Sequence, residues 1–241
     1  MNIRTFFAYL AVAFFSIVSI PGLFILWLIG LINMKVHDVL SYGIMKVAFS
    51  IMLWISGTDV TVIGRDRIPR DKAVLFVANH RSYYDIIVTY KQVIAPTGFV
   101  AKKEFKKVPV LSHWISCLHG LFLDRQNIKE GLKTILEATE CMKNGMSYFI
   151  FPEGTRSKTE GFLPFKEGSM KIATKSGSVI VPVALTHTDE IFEKQFPYIK
   201  ATKVTMEFGE PIYTSELSKD ELKTIGATVQ KKVEEMYRSN F

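Results

Sequence analysis

The apolar positions of this chain fall into two textures that change at Gly57. From Phe6 to Met34 the sequence FFAYLAVAFFSIVSIPGLFILWLIGLINM carries no charge, and a continuous helix over it would reach about 43 Å, more than a ~30 Å hydrocarbon layer. The run is too long for the core of a signal peptide, and no small-residue cleavage site follows it. Pro21 and Gly22 interrupt it midway and leave halves too short to span alone, which predicts a tilted, kinked span or a bent helix lying in one leaflet. After a polar KVHD turn, Val39 to Ile55 is apolar again, with Gly43, Lys46, Ser50 and Gly57 as a thin polar stripe at helical spacing. The two stretches predict a two-helix membrane anchor over residues 1–57. Arg4, Lys35 and Lys46 flank the first segment on both sides, so charge does not choose an orientation. As a tether or as a platform that presents substrate, the anchor is equally consistent with its sequence.

Beyond Gly57 short apolar runs alternate with amphipathic stretches. Strands are expected at Val60–Ile63, Ala73–Ala78, Gly98–Ala101, Gly120–Leu123, Ser147–Phe151, Val179–Ala184 and Lys203–Phe208. Helices are expected at Tyr83–Tyr90, Val110–Leu118, Ile128–Lys143, Ser169–Lys175 and from Lys219 to about Tyr237. Asn127 and Ser218 suit N-caps, and Gly145 and Gly177 stand where helices would end. This alternation predicts that residues 58–241 form an α/β domain with a mixed, largely parallel central sheet flanked by helices.

Charge narrows the partners. With 30 Lys and Arg against 23 Asp and Glu the formal net charge is +7, which favours an anionic surface. No basic run is interleaved with stacking aromatics as in a nucleic-acid groove, so a phospholipid bilayer is the expected partner and nucleic acid is not. Cys117 and Cys141 are too far apart to chelate and sit in no secretory framework, which fits a reducing compartment.

In sheets of this kind ligands gather beyond the carboxyl ends of the strands. Three such loops carry chemistry. In ANHRSYYDII, Ala78 to Ile87, His80 and Asp85 would stand about 140° apart on a regular helix, so only a strand end followed by a turn could bring them together. One reading makes His80 a general base with Asp85 holding its tautomer. The other makes Ser82-Tyr83-Tyr84-Asp85 a capping box, and taken alone that pattern favours the cap. Arg125, in HGLFLDR, and Arg156, in FPEGTRS, offer planar forks for phosphate oxygens, with Gly154 letting backbone approach an anion and Lys102, Lys103 and Lys166 as possible helpers. His37, His113, His119 and His187 lack a comparable context and read as structural or surface residues. No pattern has metal-ligand spacing, and no nucleophile elbow or phosphate-binding glycine loop is present, so the attacking hydroxyl is expected to belong to the substrate.

Taken together the loops resemble a family. NHRSYYD looks like the H-x4-D block of glycerophospholipid acyltransferases, GLFLDR resembles their second block, FPEGTRS their third, and IVPVA, Ile180 to Ala184, is similar to their fourth. The likeness covers about Val60 to Phe208, and the short chain with its apolar amino end resembles bacterial lysophosphatidic acid acyltransferases. The second block is the loosest, with Leu123 after Phe122 where a β-branched residue is commoner. The resemblance implies transfer of a fatty acyl group from a thioester on acyl carrier protein or coenzyme A to the 2-hydroxyl of 1-acylglycerol 3-phosphate, giving phosphatidic acid. It implies His80 as base and Asp85 as its orienter, phosphate held by Arg125 and Arg156 with Lys102 as a third cation, and a glycerol pocket shaped by Glu153 and Gly154. Thr155 and Phe122 complete the implied substrate-binding set. Neither metal nor cofactor is required. Because both donors are cytosolic, the body is expected on the cytosolic side of the cytoplasmic or inner membrane, held by a one-leaflet anchor or a hairpin. Glycerol 3-phosphate or another lysophospholipid as acceptor, a membrane thioesterase, and a lipid-binding protein without turnover are the competing readings.

Overall fold

The structure, a computed structural model, describes residues 2–94, 96–159 and 161–241. Helix α1 spans Ile3–Ile32 and α2 Met34–Ser56. Asn33 joins them: its backbone N–H donates to Ile29 O, and its side-chain oxygen accepts from Lys35 N and Val36 N. The same residue ends one helix and caps the next. The break expected at Pro21 does not occur, since α1 runs through it. Proline removes one backbone donor, whereas ending the helix would strip several backbone groups of their partners in an apolar setting.

Both helices are long and apolar enough to cross a membrane. Much of their surface is open: Phe14, Ile17, Phe24, Leu31 and Trp54 are among many large apolar side chains left exposed. An apolar face this extensive is foreign to a soluble monomer.

The body is built on β1 (Asp59–Ile63), β2 (Val74–Ala78), β3 (Thr97–Lys102), β4 (Leu121–Leu123), β5 (Ser147–Ile150), β6 (Val179–Thr186), β7 (Lys203–Phe208) and β8 (Ile212–Tyr213). They form one sheet in the order β1-β7-β6-β2-β5-β3-β4, with β8 paired to β6. The block β6-β2-β5-β3-β4 is parallel throughout; β7 and β8 run antiparallel to β6, and β1 is parallel to β7. A mixed, largely parallel sheet is thus present. The helices between are α3 (Tyr84–Gln92), α4 (Pro109–Cys117), α5 (Ile128–Lys143), α6 (Glu167–Ser176), α7 (Lys219–Lys223) and α8 (Ile225–Ser239).

Asn127 caps α5 by accepting from Lys129 N and Glu130 N, and Ser218 forms a capping box with Glu221. Gly177 closes α6 in the left-handed region, and Gly145 follows Asn144, the C-cap of α5. The expected closing helix is divided at Thr224 into α7 and α8, and β8, which the sequence does not predict, lacks a signal because two residues show no alternation.

Strand β2 is buried on both faces, which is why it reads as an unbroken apolar run. Val74, Phe76 and Ala78 point to one side, where they pack with Tyr84 and Val88 of α3, Leu53 of α2 and Ala8 of α1. Leu75 and Val77 point to the other, toward Met142 of α5, Met170 and Ala173 of α6 and Val229 and Val233 of α8. A third cluster joins Leu26, Tyr42 and Met45 of the hairpin to Tyr90, Trp114 and Leu118 of the body. Polar ties reinforce it: Trp114 Nε1 donates to Ser19 Oγ at 2.9 Å, Asn2 Nδ2 to Ile199 O at 2.8 Å, and Asp38 Oδ1 lies 2.9 Å from His119 Nε2. Contacts therefore occur near both ends of the hairpin. The two amino-terminal helices share cores with the body instead of hanging from it.

Candidate active site

The parallel block aligns the carboxyl ends of β2, β3, β4, β5 and β6 along one edge of the sheet. His80 continues the parity of Ala78 past the end of β2, on the side of α3 and the hairpin. Its ring stacks on Phe151, just beyond β5, with centroids 4.2 Å apart. That contact fixes the imidazole plane.

Helix α3 begins at Tyr84, so residues 79–83 turn, and the turn closes the angle that a continuous helix would have left open. Asp85 Oδ2 lies 2.7 Å from His80 Nδ1 and also accepts Arg81 N at 2.7 Å and Ser82 N at 2.8 Å. The Asp85 side chain is fully buried, and among the described residues its Oδ1 has no hydrogen-bond partner. Three contacts converge on one oxygen and aim it at the ring. The capping reading needs correction: the N-cap of α3 is Tyr83, not Ser82, and it makes no side-chain cap bond, but half of the expected pattern is present, since Ser82 Oγ accepts Tyr84 N at 2.9 Å and Asp85 bonds back to Ser82 N. Because two backbone N–H groups already face Oδ2, it is the Nδ1 hydrogen that points at Asp85, leaving Nε2 of a 17%-exposed side chain as the acceptor.

Glu153 is turned inward instead of lining a pocket. Its Oε1 accepts His80 N at 2.7 Å and its Oε2 accepts Leu163 N at 3.0 Å, with 4% of the residue exposed. Burial raises the carboxyl above the ordinary range, and the two N–H bonds pull it partly back. Glu153 thus clips the loop after β5 to the backbone of His80; Ser157 N adds a bond to His80 O at 2.8 Å. Gly154 has φ +77°, and a Cβ there would meet Lys166 Nζ at 2.8 Å. The glycine makes room for the lysine and brings a cation beside the loop. Thr155, the next residue, is exposed.

The cations separate. Arg156 comes from the loop after β5, next to β2; its guanidinium lies 3.6 Å from the Tyr83 ring centroid and 2.8 Å from Glu193 Oε1. Arg125 follows β4, three places from β2 in the sheet, so its loop starts about 14 Å away at ~4.8 Å per strand. It is exposed, and no hydrogen bond or ion pair joins it to another described residue. Lys102, at the end of β3, pairs with Glu104 at 3.1 Å, and Lys103 with Asp124 at 2.7 Å. Phe122 lines a different cavity of about 590 Å³ with Lys106, His119 and Tyr148 and is not brought to His80. Thus the structure joins His80, Asp85, Glu153 and Arg156 into one connected loop system and leaves Arg125, Lys102 and Phe122 at its margin.

Beside Arg156 a cavity of about 720 Å³ is lined by Arg81, Tyr83, Lys158, Glu193, Phe196 and Tyr237, among others. Arg81, 7% exposed, is held by Asp189 at 3.3 Å and by Thr159 O at 2.9 Å. Glu193, Phe151 and Arg81 join these loops although no motif in the sequence gives them a role. Glu193 lies 111 residues from Ser82, and nothing local marks it. The four remaining histidines take other work: His37 and His119 both meet Asp38, His113 Nδ1 lies 2.6 Å from Pro109 O, and His187 stacks on Phe241. Among the described residues no cluster of three or more His, Cys, Asp or Glu could hold a metal.

A connected His–Asp pair at a strand end, braced by a Glu-Gly-Thr-Arg loop, is a pattern that known proteins can be compared with. The Acyltransferase family model matches residues 59–186. The chain is 27% identical to the 1-acyl-sn-glycerol-3-phosphate acyltransferase of Borreliella burgdorferi over 194 residues, 80% of this chain and 78% of that one. It is 33% identical to the protein of the same name from Saccharomyces cerevisiae over 180 residues, 72% of this chain and 58% of that one. The crystal structure of the 1-acyl-sn-glycerophosphate (LPA) acyltransferase PlsC from Thermotoga maritima matches with a TM-score of 0.82 at 27% identity, covering 98% of this chain and 96% of that one. Helix order, sheet and both amino-terminal helices fall within that coverage, and the chain belongs to the Acyltransferase family.

Proposed function

We propose that this chain transfers a fatty acyl group from an acyl thioester to the 2-hydroxyl of 1-acylglycerol 3-phosphate, making phosphatidic acid. The observation that carries the reading is the 2.7 Å contact between His80 Nδ1 and a buried Asp85 oxygen. With Nδ1–H directed at Asp85, Nε2 takes the proton of the acceptor hydroxyl as its oxygen attacks the thioester carbonyl. Asp85 stabilises the imidazolium, and collapse of the tetrahedral intermediate expels the thiolate, which recovers the proton from His80. Atoms and charge balance without a metal or cofactor. The thioester is carried by acyl carrier protein or coenzyme A. Arg156, adjacent to His80 in the loop system, is the first ligand for the phosphate, with Arg125 a more distant second.

Residues 1–57 serve as the membrane anchor and 58–241 as the acyltransferase domain. Because the hairpin touches the body near both Asn2 and Asp38, a hairpin standing across the bilayer would drag the body into the hydrocarbon. An anchor lying in one leaflet avoids this and puts the body on the cytosolic face, where both thioesters occur. The acceptor then arrives from the bilayer and the donor from solution.

The test is an assay of purified protein in mixed micelles with one acyl thioester and, in turn, lysophosphatidate, glycerol 3-phosphate and lysophosphatidylglycerol. Phosphatidic acid formation that disappears with His80→Ala is expected. Thioester loss indifferent to the acceptor would identify a thioesterase instead.

A further inference from the structure

Glu193 meets three groups of the site at once. Its Oε1 accepts Tyr83 N at 2.8 Å and Arg156 Nη1 at 2.8 Å, and its Oε2 accepts Ser82 Oγ at 2.5 Å. It stands in the connection between β6 and β7, far in sequence from both loops it joins. Its side chain is 21% exposed and that of Arg156 is 28% exposed, both facing the cavity of about 720 Å³. The pair is not sealed in the core. It sits where an incoming anion would meet it.

We infer that Glu193 is a resident counter-ion of Arg156, and that a phosphate must take the guanidinium from it to bind. The inference rests on Arg156 as the phosphate ligand of the proposed function. Three observations carry it. The carboxylate presents Arg156 with a charged oxygen acceptor of the kind that a phosphate would present. Arg156 is stacked on Tyr83, so the guanidinium is already positioned and only its anionic partner has to change. The carboxylate also keeps bonds to Ser82 and Tyr83, so it stays in place near the entering anion and continues to oppose it.

The consequence is a charge penalty on the entering anion. Giving up Glu193 costs every anion at Arg156 alike, but the carboxylate that stays nearby repels a phosphomonoester, with about 1.5 to 2 negative charges near neutral pH, more than a phosphodiester with one. Glu193 is therefore a positioning residue that moderates affinity for monoester headgroups more than for diesters, without touching the reacting atoms.

Binding of inorganic phosphate and of dimethyl phosphate to the full chain in detergent, followed by calorimetry, tests this apart from turnover. Glu193→Gln should tighten phosphate binding by about tenfold, the lower end of what one charged hydrogen bond contributes, and tighten dimethyl phosphate binding less. Glu193→Asp keeps the charge but draws it back by one methylene, and it should tighten phosphate binding as well. Glu190→Gln, which removes a nearby charge paired to His187 and Lys194, should have a smaller effect. The gain in Glu193→Gln should vanish in the double variant with Arg156→Ala. Phosphate affinity unchanged or weaker in both Glu193 variants overturns the inference, as does a gain in Glu193→Gln matched by Glu190→Gln and absent in Glu193→Asp. If Arg156→Ala alone leaves phosphate and lysophosphatidate binding intact, it is the assignment of the phosphate ligand that fails.

Discussion

The loop after β2 and the loop after β4 begin alike in sequence, each a charged segment following a short apolar run, yet the structure treats them differently. In the first, Asp85 is fully buried and takes three donors on one oxygen, His80 is stacked on Phe151, and Glu153 and Ser157 grip the histidine backbone. In the second, Asp124 binds Lys103 and the backbone N–H groups of Gln126 and Asn127, while Arg125 is exposed and meets Glu104 through charge alone, with no hydrogen bond or ion pair to a described residue. The difference follows from their places in the sheet. A loop beside the central strands is enclosed by neighbours that can fix a rotamer, and proton transfer needs that rigidity. A loop at the edge strand β4 has neighbours on one side only, which suits a cation that reaches for a mobile headgroup.

Removing the central loop's chemistry should have the largest effect. His80→Ala is expected to lower acyl transfer by about 10²–10⁴-fold with little change in melting temperature, since the ring is partly exposed. A rate within a few-fold of wild type would break the contrast outright. Asp85→Asn should approach the same loss, because the amide oxygen can still accept the N–H groups of Arg81 and Ser82 but no longer stabilises an imidazolium. Thermal melting beside steady-state kinetics separates this from simple uncapping, in which activity and stability would fall together.

The two arginines sharpen the contrast at smaller magnitude. Arg156→Ala should raise the KM for lysophosphatidate by roughly 10–100-fold, the worth of one or two charged hydrogen bonds, whereas Arg125→Ala should raise it less. Equal effects would mean that the edge loop folds over to join the centre when substrate binds. The smallest effect concerns stability. Burial raises the Glu153 carboxyl above its unfolded value near 4.5, so the stability it lends is complete below that pH and lost as pH rises through the raised value. Melting of wild type against Glu153→Gln between about pH 4 and 7 should show the wild type losing ground as pH rises.

Much of this is legible in the sequence. Seven strands, the Asn127 and Ser218 caps and α5 from Ile128 to Lys143 fall where periodicity and capping chemistry put them, because those signals act over a few residues. Cap and histidine partner are legible at Asp85 as two rival readings, and the turn at residues 79–83 lets one carboxylate oxygen meet both His80 Nδ1 and Ser82 N. What was not legible is everything that joins distant segments. Glu153 reads in the sequence as a pocket residue, yet its two oxygens accept His80 N and Leu163 N; Phe122 reads as part of the site, yet β4 carries it to another cavity.

By itself, then, the sequence determined the local elements, the apolar hairpin and the residues able to act as base, orienter and anion ligand, since propensity, burial pattern and side-chain chemistry are written residue by residue. Tertiary structure alone decided which of those residues meet. It placed β5 beside β2 and β4 three strands away, brought Glu193 against Arg156, and laid the hairpin along the body. The physical reason is strand order: hydrogen-bonded pairing between distant segments sets which loops share an edge, and no short stretch of chain encodes that distance.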